Sequence, residues 1–205
     1  MSEITLFKSL QDRGLLVEVV DMTIVKTDQS VAATCYNKIK LKEKLAAKIA
    51  VERMFGNEVE IKHAADGHPF IDGIDGSLTI SHARNVLVAV YSLDKVVGVD
   101  IEYPRDALSR VVSKFLNEDE MMYATNIDNL LKAWTIKEAV YKAMLRKGLS
   151  LFAIKLPALD EKKPRAVVET SEGQVEFKLY YDCIGEAMVT LAIRDDAECR
   201  GKVIS

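Results

Sequence analysis

At 205 residues with a formal net charge of −3, the chain is long enough to bury a full core, as one domain or as two small halves. Hydrophobic residues make up 49% and charged residues 29%, and no apolar run approaches the roughly 18 to 20 residues that a spanning helix needs, so a membrane protein is not expected. The acidic balance, with a pI near 5.7, argues against a general nucleic-acid binder.

Cys35, Cys183 and Cys199 are widely separated and lack C-x-x-C spacing. That pattern points to reduced thiols rather than to a disulfide frame or a zinc site. The start, Met1-Ser2-Glu3-Ile4, is acidic and lacks the basic-then-apolar order of a secretory signal, which sets the expectation of a cytoplasmic protein.

In chain order, Leu15 to Val20 and Met22 to Val25 are rich in β-branched residues and read as strands. Lys38 to Phe55 reads as a long amphipathic helix ended by Gly56-Asn57. Its start is strongly basic. Lys38, Lys42 and Lys44 fit a solvated face, and equally fit point charges for a phosphate. From Glu58 to Leu78 the dipeptides Asp66-Gly67, Asp72-Gly73 and Asp75-Gly76 break the chain into short extended pieces. The strand that follows ends in Ile80-Ser81-His82. Neighbouring side chains on a strand point to opposite faces, so Ser81 and His82 cannot be a nucleophile and its base. His82 is a polar loop residue or a donor to a phosphate oxygen.

Val86 to Tyr91 and Val96 to Glu102, either side of Ser92-Leu93-Asp94-Lys95, read as a β-hairpin. The period of two in the second strand puts Gly98, Asp100 and Glu102 on one face and Val97, Val99 and Ile101 on the other, facing inwards. Two adjacent carboxylates either hold a hard divalent cation, which suits Mg²⁺ with phosphate oxygens and waters, or belong to an exposed edge strand. Arg105, Arg110 and Lys114 fall on a short helix, and Asn117-Glu118-Asp119-Glu120 reads as an N-cap with an acidic first turn.

Asn129 to Arg146 has no Gly or Pro and is followed by Gly148, so it is a predicted helix. Leu131, Trp134, Tyr141 and Leu145 are expected to bury one side of it, leaving Glu138 and Lys142 at the edge of the buried stripe. An ordinary surface pair at i,i+4 is the plain alternative, worth about 0.2–0.5 kcal/mol. Beyond Gly148, strands are predicted at Leu151 to Leu156, Val167 to Glu169, Val175 to Asp182 and Ala187 to Ile193, with a Pro157 to Pro164 loop. Strands, helix and strands thus occur twice, which suggests an α+β fold of two similar halves, 1–97 and 98–205.

Gly98-Val99-Asp100-Ile101-Glu102, followed by Trp134-Thr135-Ile136-Lys137-Glu138-Ala139-Val140-Tyr141-Lys142, resembles the paired signature G-[IV]-D-x-E and W-[ST]-x-K-E-[AS]-x-x-K of the 4′-phosphopantetheinyl transferase superfamily. Length and Ile80-Ser81-His82 resemble its larger, monomeric, surfactin-synthetase-activating type. The resemblance runs from about Lys38 to Leu156. It implies two α/β halves related by a pseudo-twofold, with the active site in the cleft between them. It also implies the reaction: coenzyme A is cut at its pyrophosphate, the phosphopantetheine arm passes to a serine of an apo acyl or peptidyl carrier protein, and 3′,5′-ADP leaves.

On this resemblance Asp100, Glu102 and Glu138 hold Mg²⁺, and Glu138 accepts the serine proton. Lys142 compensates the departing phosphate, as Lys137 would if it pointed the same way; it sits about 100° round the helix from Glu138. Ser81 and His82 match positions that bind the 3′-phosphate and nearby phosphate oxygens, and Lys42 best matches the family's basic residue on the first long helix. Two departures bear on coenzyme A affinity. His68 stands in Gly67-His68-Pro69 where the family often has Gly-Lys-Pro, and Lys42 stands where many members carry arginine.

The same carboxylates and lysine would also serve a Mg²⁺-dependent phosphodiesterase or nuclease, although the acidic balance and the lack of an aromatic-basic stripe disfavour a nucleic-acid groove. A non-catalytic module binding coenzyme A or a carrier is the alternative from another class, and a plain α+β domain with incidental charge pairs is the last. Carrier proteins are acidic, so a basic docking patch is expected, for which Arg105, Arg110 and Lys114 are the candidates.

Overall fold

The computed structural model describes residues 14–26, 35–56 and 59–198. Met1 to Ile4, Asn57 and Cys199, singled out above, lie outside them. The elements are β1 (Leu15–Asp21), α1 (Cys35–Phe55), β2 (Ile61–His63), β3 (Pro69–Ile71), β4 (Ser77–Ala83), β5 (Val86–Ser92), β6 (Lys95–Glu102), α2 (Ile127–Ala143), β7 (Ile154–Lys155), β8 (Arg165–Thr170), β9 (Gly173–Ile184) and β10 (Ala187–Glu198). Short 3-10 segments occupy Ser109–Lys114, Glu118–Thr125 and Leu151–Ala153. This is a mixed α+β fold, and among the described residues no helix is long and apolar enough to cross a membrane.

One antiparallel sheet runs β1-β5-β4 and another β6-β10-β9-β8-β7, with β2-β3 a separate hairpin. The predicted pairing of Val86–Tyr91 with Val96–Glu102 is therefore corrected. Both stretches are strands, but β5 pairs with β1 and β4, while β6 pairs with β10. Apolar, β-branched runs identified the strands correctly and carried no information about partners, because pairing is settled by which faces must be buried together.

Where β6 passes β4, backbone bonds give way to side chains. Val97 N donates to Ser77 Oγ at 3.2 Å, Val99 N to Thr79 Oγ1 at 3.1 Å and Ile101 N to Ser81 Oγ at 3.4 Å. Three hydroxyls at a period of two on β4 thus satisfy the amides of β6 that would otherwise be buried without acceptors. Val88 and Val90 of β5, Val97, Val99 and Ile101 of β6, and Val189 and Leu191 of β10 form one core across this seam. The opposite faces carry the helices: Ala46 and Ala50 of α1 pack on Leu87 and Ala89, and Ala139, Val140 and Ala143 of α2 pack over Phe177, Leu179 and Ala192.

Several predicted boundaries shift. Met22 to Val25 is not a strand: the Asp21 carboxylate accepts from Thr23 N at 2.8 Å and Thr23 Oγ1 at 2.6 Å, turning the chain. Leu151–Ala153 is a 3-10 turn, leaving only Ile154–Lys155 as strand. Helix α2 starts under an Asn126 cap, whose side chain accepts from Asn129 N at 2.8 Å. It stops before Gly148, because Leu145 already adopts a left-handed φ of 50°, an uncommon state for a side chain of this size. Its deepest side is also not the expected one. Leu131 is buried, but Trp134, Tyr141 and Leu145 are half-buried, and Ala133, Ile136, Lys137, Ala139, Val140 and Ala143 face inwards instead.

Candidate functional site

Gly98 fixes how α2 meets β6. A Cβ built there would lie 2.0 Å from the Ala139 carbonyl oxygen and 2.7 Å from Ala143 N, so only glycine lets the helix lie this close. The glycine puts the next two outward positions of the strand, Asp100 and Glu102, under the same helix that carries Glu138 and Lys142. Asp100 is buried, not part of an exposed edge.

The carboxylates have distinct partners. Asp100 Oδ1 accepts from Lys142 Nζ at 2.8 Å and from Ser81 Oγ at 2.9 Å, and Lys142 Nζ also donates to the Val99 carbonyl at 2.9 Å. Glu102 Oε1 accepts from Tyr103 N at 3.0 Å, and its Oε2 lies 2.9 Å from Arg105 Nη2. Glu138 is half-buried and forms no hydrogen bond or ion pair with any described residue. Burial pushes its carboxyl above the ordinary range, with Asp100 and Glu102 adding to the effect and Lys142 opposing it.

Among the described residues, no group of three His, Cys, Asp or Glu side chains stands ready as placed to hold a metal ion. The donor chemistry nevertheless suits a hard cation. Two carboxylates of one strand face and an unpartnered, half-buried carboxylate of the facing helix are close enough to perturb one another.

Lys142 also borders a cleft of about 960 Å³ between α1, the β2-β3 hairpin, β4 and the end of α2. Its walls carry Lys40, Lys44 and Lys48 of α1, His63 and His68 of the hairpin, His82 of β4, and Arg146 and Lys147 beyond α2. Apolar surface comes from Val59, Ile61, Leu78, Leu87, Tyr141 and Leu145. A concave, largely apolar floor ringed by cations suits a ligand with an apolar or aromatic body and several negative charges.

The two cleft histidines expected to contact a phosphate each meet an acid: His82 Nε2 lies 3.5 Å from Glu43 Oε2, and His68 Nδ1 bonds directly to Asp66 Oδ1. Partial burial acts to raise the Asp66 carboxyl, but hydrogen bonds from the His68 amide and ring outweigh it and hold the group below its ordinary range.

The structure brings His68, His82 and Lys142 to the cleft, and Asp100, Glu102 and Glu138 behind Lys142. It separates three other expected residues. Ser81 turns to Asp100 and the Ile101 amide rather than to the cleft. Lys42 leaves the lining to Lys40, Lys44 and Lys48 and lies near Asp21 instead; at 100° per residue it is on the far side of α1 from all three. Lys137 points away from Glu138 and is fully buried, its Nζ donating to Glu120 Oε2 at 2.7 Å, Ile154 O at 3.0 Å and Leu151 O at 3.1 Å. Helical spacing at i, i+4 and i+8 was the available signal for the Lys40, Lys44, Lys48 row; nothing local pointed to Arg146 or Lys147.

Of the proposed docking residues, Arg105 precedes the 3-10 segment and is paired with Glu102, whereas Arg110 and Lys114 are exposed on it. The predicted cap is present in full: Asn117 accepts from Glu120 N at 3.0 Å and donates its own amide to Glu120 Oε2 at 3.2 Å.

The fold is thus α+β, with a cleft that carries cations from α1, β4 and the end of α2 and abuts the carboxylates Asp100, Glu102 and Glu138. Residues 96–192 match the family model of the 4′-phosphopantetheinyl transferase superfamily, and over that stretch the chain is similar to its members. No curated protein matches the chain. That match supports transfer of phosphopantetheine as the general chemistry of this stretch.

Proposed function

We propose that the protein transfers the phosphopantetheine arm of coenzyme A to a serine of an apo acyl or peptidyl carrier protein with Mg²⁺, as a monomer of the surfactin-synthetase-activating type in the cytoplasm. On this reading residues 1–97 and 98–205 are the two pseudo-twofold halves, and the cleft beside Lys142 is the active site. The observation that carries it is the position of Lys142, which lines the cationic cleft and at the same time bonds the carboxylate Asp100. The polyanionic ligand and the carboxylates therefore meet at one point.

In this reading the 3′-phosphate and pyrophosphate of coenzyme A lie among Lys44, His68, His82 and Lys142, the lysines supplying charge and the imidazoles ring N–H donors. Asp100, Glu102 and Glu138 would hold the divalent cation, which when bound offsets charge on the pyrophosphate as the phosphoryl group moves. Glu138 is the proton acceptor for the carrier serine. Its lifted carboxyl takes up a proton more readily than an ordinary carboxylate does, and no described residue bonds to it. Ser81 positions Asp100 instead of touching the phosphate, and Lys137 acts through the fold by clamping α2.

The test is intact-protein mass spectrometry of an apo carrier incubated with the protein, coenzyme A and Mg²⁺, with Glu138→Gln in parallel. A mass gain of one phosphopantetheine arm that disappears with EDTA and in the variant is the expected result. No gain on any of several carriers, together with measurable coenzyme A binding, would instead support a binding module; hydrolysis of the pyrophosphate without transfer would point to a phosphodiesterase.

A further inference from the structure

The carboxylates suited to a cation do not converge as they stand, and the reason lies in cations of the chain itself. Asp100 Oδ1 is held by Lys142 Nζ at 2.8 Å, and Glu102 Oε2 by Arg105 at 2.9 Å. Glu138, one turn before Lys142, has no such partner. The two pairs differ in where they stand. Arg105 is half exposed and outside the cleft lining, whereas the Lys142 side chain is 29% exposed and forms part of the cleft wall. Its ammonium sits on the border between the carboxylates and the anion-binding space.

We propose that Lys142 is an internal counter-cation that exchanges with the divalent ion: it holds Asp100 while the ion is absent, and is released into the cleft when the ion takes Asp100. The proposal rests on the metal-dependent reading given above. A dication and an ammonium repel each other strongly at one carboxylate oxygen. The four-carbon lysine stem lets the ammonium leave by rotation without backbone movement. The Val99 carbonyl, its other acceptor, is a neutral group and retains it only weakly against that repulsion. In the cleft the freed charge joins Lys44 and His82, so the ion raises affinity for an anion there, and by reciprocity the anion raises affinity for the ion. The ion thereby switches on the phosphate site through a residue of this chain, apart from any direct contact between ion and phosphate.

Mn²⁺ binding followed by electron paramagnetic resonance, with neither coenzyme A nor carrier present, isolates the exchange. Lys142→Met removes the competitor and is expected to bind Mn²⁺ about tenfold more tightly than wild type, within the usual range of site coupling. Lys142→Arg keeps a cation and is expected to stay near wild type. Thermal unfolding establishes that both variants are folded. In ¹⁵N-lysine-labelled protein, the side-chain signal that Lys142→Met removes is expected to shift when Mg²⁺ is added to wild type. Unchanged or weaker Mn²⁺ binding in Lys142→Met, or an ammonium signal that Mg²⁺ leaves in place, overturns the exchange while leaving the metal reading intact. No Mn²⁺ binding by wild type, Lys142→Met or Asp100→Asn removes the metal reading, and the exchange with it.

Discussion

Gly98 and Ala139 touch with no room for one further carbon: a Cβ on Gly98 would stand 2.0 Å from the Ala139 carbonyl oxygen. Because that oxygen belongs to the helix backbone, the whole of α2 must move to admit a methyl group. Gly98→Ala is expected to cost about 1–3 kcal/mol in urea unfolding, as overpacking commonly does. It should also lower transfer by the remaining folded molecules, since Glu138 and Lys142 move with the helix. Wild-type activity in a destabilised Gly98→Ala would mean that the distance from α2 to β6 does not matter to the site.

Lys137 is expected to be structural. Its ammonium and the Glu120 carboxylate are 2.7 Å apart and almost without exposure, and Glu120 Oε1 accepts from Leu156 N at 3.1 Å as well. Lys137→Met leaves a buried carboxylate uncompensated, with an expected loss of about 3–5 kcal/mol. Adding Glu120→Gln should recover part of that loss, and activity per folded molecule should stay within a few fold of wild type. A stable Lys137→Met that no longer transfers would show instead a chemical role.

Glu138 links stability to pH. Burial, then Asp100, raises its carboxyl above the ordinary 4.5, so the folded chain binds that proton more tightly than the unfolded chain. Just above 4.5 the folded state therefore carries more protons, and stability falls as pH rises through this window. Glu138→Gln is expected to be more stable than wild type at neutral pH, with the advantage fading below the ordinary glutamate range. Its transfer rate should fall by about 10²–10⁴, the usual contribution of a positioned base. Melting temperatures from pH 4 to 8 (roughly spanning the window) check the first expectation. A variant no more stable than wild type at pH 7 would mean that Glu138 sits in an ordinary aqueous environment.

The hydroxyl seam between the sheets has its own test. Thr79→Val is nearly isosteric, yet it removes the acceptor 3.1 Å from Val99 N and leaves a buried amide unpaired, at an expected cost of about 1–3 kcal/mol. Ser81→Ala should cost a similar amount and also loosen Asp100, whose Oδ1 it bonds at 2.9 Å. Its effect on transfer should then exceed that of Thr79→Val. Amide exchange at Val99 and Ile101 reports each lost acceptor directly; unchanged protection would show that backbone or water replaces the hydroxyl.

Much of this was legible in the residues. Short apolar runs located β4 and β5, alternation located β6 and the later strands, and an uninterrupted stretch without Gly or Pro located α2. Gly98-Val99-Asp100-Ile101-Glu102 with Trp134 to Lys142 pointed to the superfamily that residues 96–192 match. Such features are local: strand alternation, helix spacing and motif identity follow from a few consecutive side chains. What the tertiary structure alone decided was who faces whom. It set β6 beside β10 and not β5, sent Lys137 to Glu120, turned Ser81 to Asp100, and gave the cleft Lys40, Lys44 and Lys48 in place of Lys42. Partners far apart in sequence are selected by burying apolar faces together and by satisfying every buried amide and charge at once, and no short stretch of sequence carries that condition.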